Sequence, residues 1–269
     1  MEFRTIVDIA KPEFRIGPCE ELLFVGSCFA DSIGQRFREE GFPVTVNPYG
    51  TMYNPASVLH TIEKYEGEPR TAFITLGTNH VYRLKETGEI VDNCEKCPQA
   101  LFQEEELSVD ACADYLKQAI MVLRKRCSDV RVVLTVSPIR YRKYGYHESQ
   151  LSKATLLLAI ENVLACDRIA GHCAYFPAYE IVMDELRDYR FYAADMLHSS
   201  AQAVEYIWER LVETYFSSEA KAFLDEWRPL KQALGHKPFN PDSEEYRALM
   251  DKTMLKVAEL RKKYRTFAL

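Results

Sequence analysis

Two clusters in this chain have the residue types that acyl transfer needs. Ser27 and Cys28 stand side by side where the apolar run Leu22-Leu-Phe-Val-Gly26 gives way to an amphipathic segment. Far along the chain, Asp195-Met-Leu-His198 sets a carboxylate three residues before an imidazole, within reach across one turn. A serine hydroxyl is a poor nucleophile until a base takes its proton. Imidazole titrates in the right range, and a carboxylate on its second nitrogen orients it. The tetrahedral oxyanion needs donors, and the N–H of Ser27, the N–H of Gly50 and the amide of Asn79 are candidates. No metal or organic cofactor is required by such chemistry.

Each of these residues has a plainer reading. Ser27 alone suits a helix N-cap, and Asp195 suits the cap of a helix beginning near Ser200. Gly50 suits a turn with positive φ, and Asn79 a turn leading into a hairpin. Taken together with Asp195 and His198, Ser27 is the expected nucleophile, with Cys28 packed as a small apolar side chain. A thiol at a helix N-terminus gains nucleophilicity, so Cys28 with His198 is an alternative. A ligand-binding protein that keeps the crevice without turnover is another.

The elements that must position these groups follow from periodicity. LLFVG (22–26), PVTVNPYG (43–50), TAFITLGTN (71–79), VRVVLTVSP (130–138) and AYFPAY (174–179) read as strands. Helical spacing falls between them, over about 29–40, 55–65, 108–127, 150–165 and 201–216. VYRLKETGEIV (81–91) reads as a small hairpin turning at Thr87-Gly88. Strands alternating with helices predict an α/β fold, a parallel sheet covered on both faces. The carboxyl ends of such strands converge on one crevice, which would gather Ser27, Gly50, Asn79 and the Asp195–His198 pair. His80, Arg83 and Arg140 are expected on its rim, with the arginines suited to an anionic part of a substrate.

Beyond residue 217 the pattern changes to two apolar helical stripes: Phe223, Trp227, Leu230 and Leu234, then Tyr246, Met250, Met254, Val257 and Leu260. The turn HKPFNPD (236–242) separates them. The expected organisation is a domain over 1–216 and a helical appendage over 217–269, the appendage being the natural contact for a homo-oligomer.

Composition narrows the partners. With a net charge of −6 and scattered Lys and Arg, the 269-residue chain carries no footprint for nucleic acid or an anionic membrane. No apolar stretch approaches the ~18 residues of a membrane helix, and charges at Glu2, Arg4 and Asp8 break any leader-like segment. Eight cysteines without such a leader read as reduced thiols in cytoplasm. Cys94-Glu-Lys-Cys97 has half the spacing of a zinc site and no second half, and reads as a surface loop.

The stretches GSCFA (26–30), NPYGTMYNP (47–55), SPIRYRKYGYHESQLSKATLLLAIE (137–161) and DMLH (195–198) together resemble the GSCFA family of bacterial proteins. That family is grouped with the SGNH (GDSL-like) esterases and lipases. The resemblance implies a flavodoxin-like three-layer fold with a five-stranded parallel sheet. It maps the family's nucleophile onto Ser27, its oxyanion glycine and asparagine onto Gly50 and Asn79, and its base and orienting acid onto His198 and Asp195. It implies hydrolysis of a carboxylic ester, a short acyl or acetyl group on a sugar or small metabolite, or transfer of that acyl group to a sugar hydroxyl. The chain departs from the SGNH pattern in two places: Gly26 stands where an acidic residue precedes the serine, and Ser199 where proline follows the histidine.

Overall fold

The computed structural model describes residues 3–92, 97–169 and 171–269. Five parallel strands form the central sheet: β1 (Leu22–Gly26), β2 (Val44–Val46), β3 (Thr71–Leu76), β7 (Arg131–Val136) and β8 (Cys173–Tyr175). Their spatial order is β2-β1-β3-β7-β8, the doubly wound arrangement whose strand order reverses beside β1. The reason is written in the strands. Leu23, Val25, Ala72, Ile74, Val132 and Leu134 bury one face of the sheet, while Leu22, Phe24, Phe73 and Val133 bury the other. Apolar residues on both sides of the strands leave no face for water, so both must be covered.

Helices α2 (Pro55–Lys64), α3 (Val109–Arg126) and α4 (Tyr146–Leu164) cover the first face. The second is covered by α1 (Cys28–Glu39) and α6 (Ala201–Tyr215), backed by α7 (Ser218–Gly235) and α8 (Glu244–Lys263). The Phe24 and Phe73 rings stack at 4.4 Å between centroids, and Phe37 of α1 closes edge-on against Trp208 of α6 at 4.8 Å.

Several sequence expectations shift. The hairpin is a three-stranded antiparallel sheet, β5 (Ile90–Val91), β4 (His80–Leu84) and β6 (Phe102–Glu106), whose third strand reads FQEEE and carries no apolar alternation. Helix α4 starts at Tyr146 rather than near 150, and β3 ends at Leu76 rather than at Asn79. Strand β8 stops at Tyr175, after which the chain coils into α5 (Ala178–Glu180) and a π-type turn (Ile181–Leu186).

The C-terminal helices share the main core. Phe223, Trp227, Leu230, Val257 and Leu260 are buried with α1 and α6, and the indole N–H of Trp227 donates to the carbonyl of Glu39. Beyond α8, Phe267 lies where a Cβ on Gly41 would stand, 2.1 Å from its ring, and the N–H of Ala268 donates to the Gly41 carbonyl. No helix among the described residues is long and apolar enough to cross a membrane. Cys97 is exposed, and Cys94 lies outside the described residues.

Candidate active site

The turn out of β1 is fixed by Gly26. Its φ is +143°, and a Cβ there would lie 2.0 Å from the carbonyl oxygen of Thr75, so only glycine lets β1 and β3 stay paired while the chain turns. The next residue, Ser27, is the N-cap of α1. Its N–H donates to the Thr75 carbonyl at 3.0 Å, and its Oγ accepts from the N–H of Phe29 and bonds the Thr75 hydroxyl at 3.1 Å. It is only 1% exposed. Cys28, the first residue of the helix, points outward.

The loop from Tyr192 to Ser199 is tied to itself and to its neighbour. The N–H of Ala193 donates to the His198 carbonyl, and Met196, with φ +60°, donates to Ala193. Arg140 donates its backbone N–H to the carbonyl of Leu197 and a guanidinium N–H to that of Met196. Asp195 Oδ1 accepts from the N–H groups of Leu197 and His198, and Oδ2 meets His198 Nδ1 at 2.5 Å. Those backbone donors, and then the imidazole, hold the Asp195 carboxyl well below the usual carboxylate range. The opposite ring nitrogen, Nε2, lies 3.4 Å from Cys28 Sγ.

Asp195 and His198 therefore pair as expected, but the imidazole meets the thiol of Cys28 and not the hydroxyl of Ser27. The physical reason is local. An N-cap side chain folds back over the first turn to satisfy its orphan N–H groups, whereas the first residue of the helix projects away. Burial pushes the Cys28 thiol up. Its own backbone N–H and the Tyr53 hydroxyl, 3.9 Å from Sγ, act against that rise, and Asp31 adds to it. The resting sulfur is thus a neutral thiol facing a base. Burial and the adjacent sulfur push Tyr53 up to about 12, so it remains a hydroxyl donor.

The three expected oxyanion donors are committed elsewhere. The Ser27 N–H is in the β1–β3 ladder. The Gly50 N–H donates to the Asn47 carbonyl at 2.9 Å, in a turn where Gly50 has φ +96°. Asn79 is buried, and its Nδ2 donates to the carbonyl of Leu107 at 2.8 Å. What faces the sulfur instead is the N–H of Cys28 itself and the hydroxyl of Tyr53. Tyr53 lies inside the NPYGTMYNP stretch, and its importance is invisible until β2 and α2 fix the loop. Asn47 braces that loop, accepting from the Gly26 N–H at Oδ1 and donating from Nδ2 to Asp31.

The rim residues divide by strand alternation. His80 and Tyr82 of β4 share a face, where His80 stacks on Tyr144 at 3.9 Å and the Tyr82 hydroxyl bonds that of Tyr144. Burial pulls the His80 imidazole below its ordinary range. Arg83 points to the other face, binding Glu105 and the Gly88 carbonyl, and lines a separate cleft with Tyr49, His60 and Asp92. The expectation that Arg83 borders the crevice is corrected accordingly. Arg140 is held between the rings of Tyr146 and Tyr192, at 4.2 and 5.4 Å to the centroids, against the back of the His198 loop. A second aromatic row, Tyr53, Tyr141, Tyr144 and His80, leads away from the thiol.

A doubly wound parallel sheet with a Cys-His-Asp group at the carboxyl edge of its strands defines an α/β protein of flavodoxin-like architecture. The chain belongs to the GSCFA family: the family's model matches residues 21–72 and 67–211, and a second, described as "GSCFA domain protein, C-terminal domain", matches 227–269. No curated protein matches it. Among solved structures it is similar to a protein from Parabacteroides merdae described as a GDSL-like lipase (10% identity, 76% of this chain and 99% of that one, TM-score 0.48). It is also similar to a variant of an acetyl-xylooligosaccharide esterase from Geobacillus (12%, 76% and 98%, 0.46). A carbohydrate esterase family 3 protein from Talaromyces cellulolyticus gives 10%, 77% and 99%, with a TM-score of 0.44.

Proposed function

We propose that this protein is an acyl-transfer enzyme of SGNH type whose nucleophile is a thiol, cleaving a carboxylic ester through Cys28, His198 and Asp195. The observation that carries the reading is the line of contacts from Sγ to Nε2 at 3.4 Å and from Nδ1 to the Asp195 carboxylate at 2.5 Å. Cys28 Sγ attacks the ester carbonyl while His198 Nε2 takes the thiol proton, and Asp195 steadies the imidazolium. The N–H of Cys28 and the Tyr53 O–H donate to the oxyanion. As the tetrahedral intermediate collapses, His198 passes its proton to the leaving alkoxide, which departs as the alcohol and leaves a thioester on Cys28. Water, deprotonated by the same imidazole, attacks the thioester. The carboxylic acid leaves and the thiol regains its proton.

The SGNH pattern also fits better in this frame. The residue before the nucleophile is then Ser27 rather than Gly26, a polar group braced by Thr75 where the pattern has an acid. The side chains of His198 and Asp195 are 45% exposed, which leaves room at the thiol for a bulky ester. The row of Tyr53, Tyr141 and Tyr144 offers flat faces with hydroxyl handles, suited to the ring and hydroxyls of a saccharide carrying an acyl group. The Arg140 guanidinium would sit at the far side of the His198 loop.

The test is labelling joined to turnover. Iodoacetamide should modify Cys28 and abolish p-nitrophenyl acetate hydrolysis. Cys28→Ala should lose turnover, whereas Ser27→Ala should keep it in protein weakened by about 1 kcal/mol through loss of the cap. Turnover and fluorophosphonate labelling that vanish in Ser27→Ala but persist in Cys28→Ala would return the role to the serine. No turnover of any acetyl ester by the wild-type protein would favour a binding protein.

A further inference from the structure

A second cavity lies behind the loop that carries His198. Its volume is about 270 Å³, and its walls are Arg140, Tyr146 and Gln150 of α4, Val182 and Met183 of the π-type turn, and Tyr192 of the loop itself. None of these side chains enters the thiol chemistry described above.

Arg140 is fixed here without being neutralised. The rings of Tyr146 and Tyr192 lie against its guanidinium, and its side-chain hydrogen bond goes to the Met196 carbonyl, a neutral acceptor. Arg187 and Asp188 also line the cavity, but each is already paired: Arg187 faces Asp184 at 3.9 Å, and Asp188 binds Arg190 at 2.9 Å. Glu180, just before the π-type turn, accepts from the Tyr175 hydroxyl. Among the described residues no carboxylate pairs with Arg140, so the cavity wall keeps an uncompensated positive charge. A second donor stands beside it. Gln150 Oε1 accepts from the Tyr179 hydroxyl, which leaves its amide N–H groups without a partner among the described residues.

A guanidinium held flat between rings offers its edge N–H groups as a fork that fits the two oxygens of a carboxylate. A lone cation suits a monoanion; a dianionic phosphate would need a second free charge. Val182 and Met183, whose sulfur accepts from the Tyr192 hydroxyl, give the cavity an apolar wall for a carbon body. We propose that this cavity binds a small organic carboxylate with an apolar body, its carboxylate held by Arg140 and Gln150. Arg140 also bonds the carbonyls of Met196 and Leu197, the two residues before His198, so the bound acid would lie directly behind the proposed base. The acid is either free or carried by the alcohol part of an ester. Only the second source rests on the acyl-transfer reading.

The test uses the full chain labelled with carbon-13 at its methionine methyl groups, the Met183 signal being the one lost in Met183→Leu. Benzoate should shift that signal saturably, with a dissociation constant on the order of 1 mM. Benzamide, of the same shape but uncharged, should leave it unmoved at the same concentrations. In Arg140→Met, benzoate should bind about ten- to a hundredfold more weakly. A Met183 signal unmoved by benzoate overturns the proposal, and so does one moved equally by benzamide; both are read on the wild-type chain and do not depend on a variant folding. A folded Arg140→Met that binds benzoate as tightly as the wild type overturns it too.

The source of the acid is read with acetyl esters of ω-hydroxy carboxylic acids of increasing chain length. A KM that drops about tenfold at one length, and not in Arg140→Met, assigns the site to the substrate's own carboxylate. A KM flat across the series, with benzoate still bound, assigns it to a free acid. If no ester in the series is turned over, the acyl-transfer reading falls, and the benzoate titration alone decides the carboxylate site.

Discussion

The choice between Ser27 and Cys28 turns on one step along the backbone. Both are small, both are potential nucleophiles, and both sit at the same junction; what separates them is that the cap turns inward and the next residue turns out. The proposed chemistry then depends on groups whose loss has a size. Asp195→Asn keeps the shape but presents an amide to Nδ1, and kcat should fall by about 10³–10⁴-fold in steady-state ester hydrolysis. Tyr53→Phe removes one oxyanion donor and should lower kcat by about 10²–10³-fold, with far less effect on KM. A Tyr53→Phe enzyme with unchanged kcat would remove the hydroxyl from the oxyanion site. The Asp195–His198 pair was legible in the sequence because three residues of spacing are local information. Gly50 and Asn79 were misread because a sequence names donors without saying whether they are already committed, to Asn47 and to Leu107 here. Tyr53 was missed for the converse reason: a tyrosine in a loop acquires meaning only from what surrounds it.

Elements carry these residues to one place. The β1–α1 turn is the tightest constraint, and Gly26→Ala should destabilise the protein by more than the ~1–3 kcal/mol of an unfavourable backbone conformation, since the new methyl would also collide with Thr75. Chemical denaturation measures it, and a loss below 1 kcal/mol would mean that β1 and β3 separate easily at this edge. The five parallel strands were legible as short apolar or alternating runs set between helical segments. Strand β6 was not, since FQEEE holds its place by backbone pairing with β4 and by the ion pairs Arg83–Glu105 and Lys143–Glu104 rather than by an apolar face. The start of α4 at Tyr146 was lost for a similar reason: Gly145, with φ +89°, precedes it without a capping side chain.

At the scale of the molecule, pH acts in part through Lys153, the one amine buried among the described residues. Lys153 titrates at about 7 in the folded protein against an ordinary 10.5, so between those values the unfolded chain binds the extra proton. The unfolding free energy of the wild type should therefore climb relative to that of Lys153→Met as pH rises from about 7 to 10.5, while the buried thiols of Cys19, Cys112 and Cys173 lower both curves alike from about 9 upward. Denaturant midpoints at steps across that window decide it; parallel curves for the two proteins would mean that the amine is not held this way. The apolar stripes of α7 and α8 were legible, and their burial against α1 and α6 gives the chain a continuous core from Ile16 to Phe267. That continuity has a consequence for synthesis on the ribosome. Helix α1 begins at Cys28, yet the ring that seats against its far end belongs to residue 267, so the helix bearing the thiol receives its last cover only when nearly the whole polypeptide has emerged. The proposed nucleophile is thus among the first groups made and among the last secured.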